Sequence, residues 1–176
     1  KNRPHDAARI NYLEAGRVTP VCAFPVRPHN SPAFHGPELV MFDALLKSTE
    51  APEISTTMAF VRALSALLRD KELGPRVVPI VADESRTFGM EGMFRQLGIY
   101  SSVGQLYEPV DSGELMFYKE DKAGQILQEG INEAGAFCSW MAAGTSYANH
   151  GQQMIPFFIF YSMFGFKRVV DLEWGA

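Results

Sequence analysis

The chain has 176 residues, of which 47% are hydrophobic and 20% are charged, and its formal net charge at pH 7 is −4. This composition is typical of a globular protein, and the length suits one domain with a flanking arm. The excess of acidic over basic residues argues against nucleic acid and anionic membranes as partners.

The surroundings of the two cysteines and the length of the apolar runs predict in which cellular compartment the protein lies. Cys22 and Cys138 lie in unlike surroundings without the spacing of metal ligands, so both are interpreted as free thiols of a reducing compartment. The apolar runs stop well short of the ~20 residues of a transmembrane helix, and no signal-peptide region is evident at the N-terminus. A cytoplasmic protein is expected, and the lack of an initial Met suggests that the sequence begins inside a longer chain.

Residues 1–52 are predicted to form a proline-rich, extended arm. The run at residues 20–32 contains too many prolines for a continuous helix or a central strand. Short helical tracts are predicted at residues 6–15 and 38–47. The arm is interpreted as a partly ordered linker that needs another surface to lie on.

A helix and then a buried strand are predicted for residues 55–82. Ser55 or Thr56 can cap a helix whose apolar residues wind around more than one face. The Leu-Gly-Pro run at residues 73–75 is a strong helix terminator. Residues 76–82 are rich in valine and isoleucine and lack polar alternation, which favours a strand of a parallel sheet that is covered on both faces.

The residues that directly follow this strand are the first functional candidates. Asp83, Glu84 and Arg86 lie just past its carboxyl end, which is where open α/β sheets bind ligands. The structural alternative is that Asp83 caps a turn while Arg86 pairs with Glu84. The spacing of these residues leaves both interpretations open.

The segment from residue 91 to residue 122 has no residue pattern that indicates a chemical function. Residues 91–97 form a short amphipathic pattern, and residues 99–112 are predicted to be a loop rich in Gly, Pro, Ser and Tyr. The charged run at residues 119–122 is predicted to be a solvated surface turn.

The stretch at residues 124–136 carries the strongest functional signal. Residues 125–127 predict a short strand, Gly130 permits a turn, and Glu133 lies near the first turn of the next helix. A glutamate at a helix N-terminus is stabilised by the helix dipole by up to about 1 kcal/mol. A purely structural role for Glu133 is therefore the alternative to a functional one.

The helix after Glu133 is predicted to end at residues 149–151 and to be followed by a second buried strand. Its predicted buried stripe consists of Ala134, Phe137, Cys138, Met141, Ala142 and Thr145. The second strand covers residues 154–161, with Pro156 near its start, where a missing N–H costs least. Residues 162–166 leave its carboxyl end, and no clear element follows. The alternation of helices and strands predicts an α/β fold, a mostly parallel sheet with flanking helices.

Four runs of this sequence together resemble a known family. The runs lie at residues 54–62, 79–90, 124–135 and 156–165. They resemble the pyrimidine-binding domain of thiamine-diphosphate enzymes of the transketolase and pyruvate dehydrogenase superfamily, and more closely the homodimeric bacterial pyruvate dehydrogenases. The resemblance extends over residues 53–168. It implies that residues 53–176 are a pyrimidine-binding domain, incomplete at its carboxyl end, and that residues 1–52 are an interdomain linker.

The resemblance implies roles for particular side chains. Glu133 is expected to hydrogen-bond a ring nitrogen of the aminopyrimidine, so that the imino tautomer can take the thiazolium proton. The expected cofactor contacts are Ile131 beneath the bent cofactor and Phe164 stacked on the pyrimidine. Tyr161 resembles a tyrosine at the substrate end, and Asp83 and Glu84 resemble an acidic pair near the reacting carbon.

The resemblance also implies groups that this sequence lacks. The superfamily binds the diphosphate through Mg²⁺ with a Gly-Asp-Gly run and a downstream Asn on another domain, and this sequence has no such run. No metal ligand is therefore expected here. The implied partners are pyruvate, a homodimer partner that supplies the diphosphate-binding domain, and the dihydrolipoyl acetyltransferase of the complex.

Two other functions are compatible with the sequence. One is a non-catalytic assembly module that keeps the fold and binds a complete subunit. The other is a transketolase-like enzyme with a different donor, which the run at residues 79–90 argues against because it resembles the pyruvate dehydrogenase version. By any of these interpretations, the chain alone is expected to have negligible turnover.

Overall fold

The computed structural model describes residues 7–18, 32–47, 53–110, 112 and 117–175. Residues 1–6, 19–31 and 48–52 of the predicted arm, and with them Cys22, lie outside the described residues. The helical tract predicted at residues 6–15 is confirmed as α1, Ala7–Val18. The tract predicted at residues 38–47 is confirmed as a 3-10 turn, Leu39–Phe42, followed by α2, Asp43–Leu46.

The remaining elements alternate between helices and short strands, as the sequence predicts. The α-helices are α3 Thr56–Leu68, α4 Phe94–Leu97, α5 Glu133–Gly144, α6 Ser146–His150 and α7 Met163–Lys167. The strands are β1 Val77–Val81, β2 Ile99–Tyr100, β3 Glu120–Asp121, β4 Leu127–Gln128 and β5 Ile155–Ile159. The 3-10 helices are Gly74–Arg76, Ser85–Phe88, Glu91–Met93 and Val170–Gly175.

The main sheet is parallel, with β1 at its centre. Its strand order is β4-β1-β5, and both pairings of β1 are parallel. Alternate residues of β1 enter two cores: Val77 and Val81 pack with α3, whereas Ile80 packs with Ala136 of α5. The strand is therefore covered on both faces, and the predicted α/β class is confirmed.

Helix α3 begins where the sequence predicts and ends earlier. The Ser55 hydroxyl accepts a hydrogen bond from the Met58 N–H at 3.2 Å, which confirms the N-cap. The helix ends at Leu68 and not at the Leu-Gly-Pro run. The reason is Asp70, whose carboxylate accepts hydrogen bonds from the N–H groups of Glu72 and Leu73, both at 2.8 Å. Such a side-chain turn competes with helical hydrogen bonding.

The predicted loop at residues 99–112 and the predicted surface turn at residues 119–122 are wrong in part. Ile99 and Tyr100 form β2, which pairs in parallel with Glu120 and Asp121 of β3. Ile99 also bridges to Ile126, and both side chains are buried in the core. β2 and β3 are each only two residues long and show no alternation that a sequence pattern can reveal, so their tertiary pairing is what identifies them.

Of the predicted buried stripe of helix α5, only Phe137 is fully buried. Ala136 and Phe137 are buried, whereas Ala134, Cys138 and Ala142 are exposed. The helix has apolar residues on every side, so periodicity could not select the face that contacts the sheet. It ends at Gly144, and the shorter α6 ends at the predicted place, where Gly151 has a φ of 64°.

Strand β5 and the segment after it also differ from the prediction. Ile159 is buried, but the other residues of β5 are half-buried, because β5 lies at the edge of the described sheet. Pro156 is the second residue of the strand, near its start as predicted. The segment predicted only to leave the strand forms α7, and a final 3-10 helix follows where no element was predicted. Of the helices in the described ranges, none combines the length and the apolar character that a bilayer crossing requires.

Candidate functional site

The candidate site lies at the carboxyl edge of the parallel sheet. Because β4, β1 and β5 run in the same direction, the segments that follow them emerge at the same edge. Asp83 and Glu84 follow β1, Glu133 begins the helix after β4, and Tyr161 follows β5. The three segments that the sequence selects therefore share the edge where open α/β sheets bind ligands.

Hydrogen bonds connect the ends of the strands at this edge. The Glu129 N–H donates to the Val81 carbonyl at 3.0 Å, and the Ala82 N–H donates to the Ile159 carbonyl at 3.1 Å. The Gln128 side chain adds a link that no sequence pattern predicts: its Oε1 accepts a hydrogen bond from the N–H of Ser85 at 2.9 Å. The turn that carries Glu84 is thereby attached to β4.

The turn between β4 and α5 determines where Glu133 lies. Gly130 has a φ of 66°, which favours glycine, and its carbonyl accepts from the Asn132 N–H at 2.7 Å. The Asn132 side chain then caps α5 by accepting from the Gly135 N–H at 3.0 Å. Glu133 is consequently the first residue of α5, as predicted, while the side chain of Ile131 is 84% exposed.

The Glu133 side chain is held between α5 and α7. It is 24% exposed, and its Oε1 accepts a hydrogen bond from Arg168 Nη1 at 3.5 Å. Its carboxylate also lies so close to Gly165 of α7 that a Cβ atom on that glycine would be 2.6 Å from Oε1. Neither partner is near Glu133 in the chain, so no local sequence pattern predicts these contacts.

Helix α7 carries Phe164, the residue that is predicted to stack on the pyrimidine. The Ser162 hydroxyl caps it by accepting from the Gly165 N–H at 3.4 Å, and a serine before a short helix is the one signal that could have revealed this element. Phe164 points outward and is 74% exposed. Phe166 instead packs into the protein, with its ring stacked on Phe160 at 4.9 Å. One side of α7 therefore faces solvent, and the other side packs against the protein.

Tyr161 lies beside a cavity between α3 and the end of β5. The side chain is 77% exposed. The cavity has a volume of about 500 Å³, and Thr56, Phe60, Phe88 and Phe158 also contribute to its walls. These walls are mainly aromatic, with threonine hydroxyls at the start of α3.

Asp83 and Glu84 occupy a different environment. The Asp83 Oδ1 accepts from the Glu84 N–H at 2.7 Å, so Asp83 stabilises the turn as the structural alternative requires. Glu84 is exposed and lines, together with Arg86 and Gln128, a second cavity of about 310 Å³. The structure thus brings Glu84 to the same sheet edge as Tyr161 but into a separate cavity.

A tyrosine pair forms the far wall of the Glu84 cavity. Tyr107 and Tyr118 both donate to Oε1 of Glu120, at 2.8 and 2.9 Å. Burial, followed by the hydrogen bond to Glu120, raises the pKa of Tyr118 above its ordinary value of 10.0. The hydrogen bond to Glu120 likewise raises the pKa of Tyr107. Both tyrosines therefore remain neutral hydrogen-bond donors at physiological pH.

The arrangement of side chains indicates what can bind. The Glu133 carboxylate is half-buried, whereas Ile131, Tyr161 and Phe164, which lie on the segments after β4 and β5 at the same sheet edge, are exposed. Aromatic side chains stack on flat rings, and a carboxyl group in a partly dry setting hydrogen-bonds a ring nitrogen. Within the described ranges, no group of three or more His, Cys, Asp or Glu residues could hold a metal ion. The fold and the site define an α/β domain that presents a carboxylate and aromatic side chains at the carboxyl edge of its parallel sheet.

Comparison with known proteins identifies the family. Residues 40–176 match the family described as the pyruvate dehydrogenase E1 component middle domain, and the chain belongs to that family. The pyruvate dehydrogenase E1 component of Pseudomonas aeruginosa is 63% identical over 170 residues, which are 97% of this chain and 19% of that protein.

Two further relatives carry the same name. The protein from Cupriavidus necator is 57% identical over 98% of this chain and 19% of its own length. The protein from Escherichia coli K12 is 53% identical over 98% of this chain and 20% of its own length. The chain thus spans about a fifth of the length of these curated relatives.

Proposed function

We propose that this chain supplies the aminopyrimidine half of a thiamine-diphosphate site in a pyruvate dehydrogenase. The whole enzyme decarboxylates pyruvate and passes the acetyl group to the lipoyl group of a dihydrolipoyl acetyltransferase. Membership of the E1 middle-domain family supports this assignment. So do the relatives named as pyruvate dehydrogenase E1 components.

The observation that carries the proposal is the placement of Glu133. Its carboxylate is half-buried at the start of α5 and packs closely against Gly165 of α7, the helix that also carries the exposed Phe164. Surface glutamates that serve only the helix dipole do not need a closely packed glycine on another helix. A carboxylate in this setting fits a flat heterocycle that has a protonatable ring nitrogen and apolar faces.

Each residue then has a role toward the ring. Glu133 shares a proton with the ring nitrogen and stabilises the protonated ring. Phe164 stacks on one face of the ring, and Ile131 supports the cofactor from the β4–α5 turn. When bound, thiamine diphosphate supplies a nucleophilic carbon that attacks the carbonyl carbon of a 2-oxoacid.

The remaining predicted residues act at the substrate end. Tyr161, with its exposed hydroxyl, is a hydrogen-bond donor to the substrate carboxylate or carbonyl. Asp83 and Glu84 stand on the turn after β1 and form an acidic pair near the reacting carbon. The Mg²⁺ ligands and the diphosphate contacts come from a different domain, supplied by a homodimer partner.

A chimeric enzyme tests this function. In it, the matching segment of the Pseudomonas aeruginosa relative is replaced by this chain, which is 63% identical to it over 170 residues. We expect pyruvate decarboxylation that requires thiamine diphosphate and Mg²⁺, and no detectable turnover from this chain alone. Calorimetry of the chimera with cofactor and Mg²⁺ measures binding separately from turnover.

Substitution of Glu133 tests whether its carboxylate takes part in the reaction. Glu133→Ala in the chimera should lower kcat by about 100-fold or more, as loss of a general acid or base does. Glu72→Gln is the matched control, because this glutamate is exposed and lies next to the turn formed by Asp70. A folded chimera that never binds the cofactor, or that keeps its kcat after Glu133→Ala, would contradict the proposal and favour an assembly module.

A further inference from the structure

Gly165 is a glycine that its own helix does not require. It is buried within α7 and does not have the positive φ that favours glycine at Gly130. Alanine is better than glycine in a helix interior by about 1 kcal/mol. If local backbone conformation were the only constraint at this position, alanine would be the more stable choice.

The space beside Gly165 gives the reason for the missing side chain. A Cβ atom there would lie 2.6 Å from Oε1, 3.1 Å from Cγ and 3.3 Å from Cδ of Glu133. Ordinary van der Waals contact begins at 3.4 Å, so the oxygen would have to retreat by about 0.8 Å (3.4 minus 2.6). Three consecutive atoms of the Glu133 side chain therefore occupy the space that a side chain at Gly165 would need.

The groups that would have to move belong to a side chain and not to the backbone. The nearest atom is the carboxylate oxygen at the end of a flexible glutamate, which can rotate away without disturbing α5 or α7. An added methyl group would thus displace the carboxylate while the fold stays intact. The substitution would therefore change the position of the Glu133 carboxylate.

The other contact of Glu133 is too weak to determine that position. Arg168 Nη1 lies 3.5 Å from Oε1, at the outer limit of a hydrogen bond, and the Arg168 side chain is 69% exposed. Exposed ion pairs of this kind contribute about 0–1 kcal/mol. Packing against Gly165 is therefore the main restraint that the described residues place on the carboxylate.

We propose that Gly165 is a positioning residue for the reaction, because its lack of a side chain determines where the Glu133 carboxylate meets the ring nitrogen. This inference rests on the proposed function of Glu133. A displacement of about 1 Å in a reacting group can cost on the order of 100-fold in rate. The Gly165→Ala substitution should accordingly impair the proton transfer without impairing the fold.

The test measures proton exchange and stability in the chimeric enzyme. Gly165→Ala should slow the exchange of the thiazolium carbon proton of bound thiamine diphosphate by about 10- to 100-fold. The thermal midpoint of the cofactor-free protein should stay the same or rise. Gly92→Ala is the matched control, because Gly92 lies in the 3-10 helix Glu91–Met93 and has nothing within 4 Å of an added Cβ.

A double substitution separates positioning from a general disturbance. In a Glu133→Ala background there is no carboxylate to displace, so adding Gly165→Ala should change the exchange rate less than twofold. An equally large loss in that background would overturn the proposal, as would a Gly165→Ala rate within twofold of the Gly92→Ala rate. If Glu133→Ala itself leaves exchange unchanged, the proposed function fails together with this inference.

Discussion

Two acidic regions at the same sheet edge are built in different ways. Glu133 is the first residue of α5, a 12-residue helix with a capped N-terminus. Its side chain packs against Gly165 of a second helix, α7. Glu84 stands on a short 3-10 turn, is exposed, and depends on the link from the Ser85 N–H to Gln128. The first carboxylate is positioned by close packing, and the second by hydrogen bonds around an open cavity.

This difference matches the demands of the two proposed roles. A group that shares a proton with a cofactor nitrogen must stand at a fixed distance from it, which close packing provides. A carboxylate that faces changing substrates and products benefits from an exposed position. We expect substitutions in the first region to act through packing and substitutions in the second through single hydrogen bonds.

The largest loss of stability is expected from a substitution in α5, one helical turn after Glu133. Phe137→Ala removes a buried ring that contacts Trp140 at 4.9 Å and Phe158 at 5.0 Å, so the free energy of unfolding should fall by about 3–5 kcal/mol. Urea denaturation of the chain measures the change. Cys138→Ala is the control, because Cys138 is exposed despite its place in the predicted stripe, and a comparable loss there would contradict the observed orientation of α5.

The next effect concerns the hydrogen bond that supports Glu84. Gln128→Met keeps the length of the side chain and removes the acceptor for the Ser85 N–H, which should destabilise the protein by about 1–3 kcal/mol. Amide hydrogen exchange should accelerate at Ser85 and stay unchanged at Phe137. Gln152→Met, at an exposed position, is the control. Faster exchange in α5 as well would show that the two regions are not independent.

A smaller effect is expected at the start of α7. Ser162→Ala removes the hydroxyl that accepts from the Gly165 N–H, and loss of an N-cap typically costs about 1 kcal/mol. Chemical denaturation measures the loss, with Ser102→Ala at an exposed loop position as the control. An unchanged stability would mean that α7 does not depend on its cap.

The smallest effect at neutral pH lies in the wall of the Glu84 cavity. Tyr118→Phe removes one of two hydroxyl donors to Glu120 and should cost about 0.5 kcal/mol at pH 7, since Tyr107 still donates. The effect on pH dependence is more diagnostic.

Ionisation of Tyr118 should destabilise the fold at alkaline pH. The folded protein raises the pKa of Tyr118 above 10.0, so the unfolded chain releases this proton first. Stability is therefore fully present below about pH 10 and is lost as the pH rises from there toward the folded pKa. Tyr118→Phe should make the urea midpoint fall less steeply above pH 10. An unchanged slope would contradict the environment assigned to Tyr118.

The sequence predicts those parts of the fold that depend on neighbouring residues. Caps, glycine turns and apolar runs are local signals. They correctly predicted the start of α3, the buried strand β1, the turn at Gly130 and the helix that begins at Glu133. The same signals fail for α5, where apolar residues surround the helix and leave its buried face undetermined.

Contacts between distant residues are beyond such signals. The pairing of Ile99 with Glu120 and the approach of Gly165 to Glu133 depend on tertiary packing. The roles of Asp83, Glu84, Ile131, Tyr161 and Phe164 come from the family resemblance. They remain predictions.

The central claim is that Glu133 exchanges a proton with the cofactor, and one measurement tests it directly. Glu133→Gln in the chimeric enzyme keeps the size of the side chain and removes its acidity. Exchange of the thiazolium carbon proton for deuterium, followed with saturating thiamine diphosphate and Mg²⁺, should slow by about 100-fold or more while the thermal midpoint is retained. An exchange rate within twofold of that of the unsubstituted chimera would contradict the role proposed for Glu133.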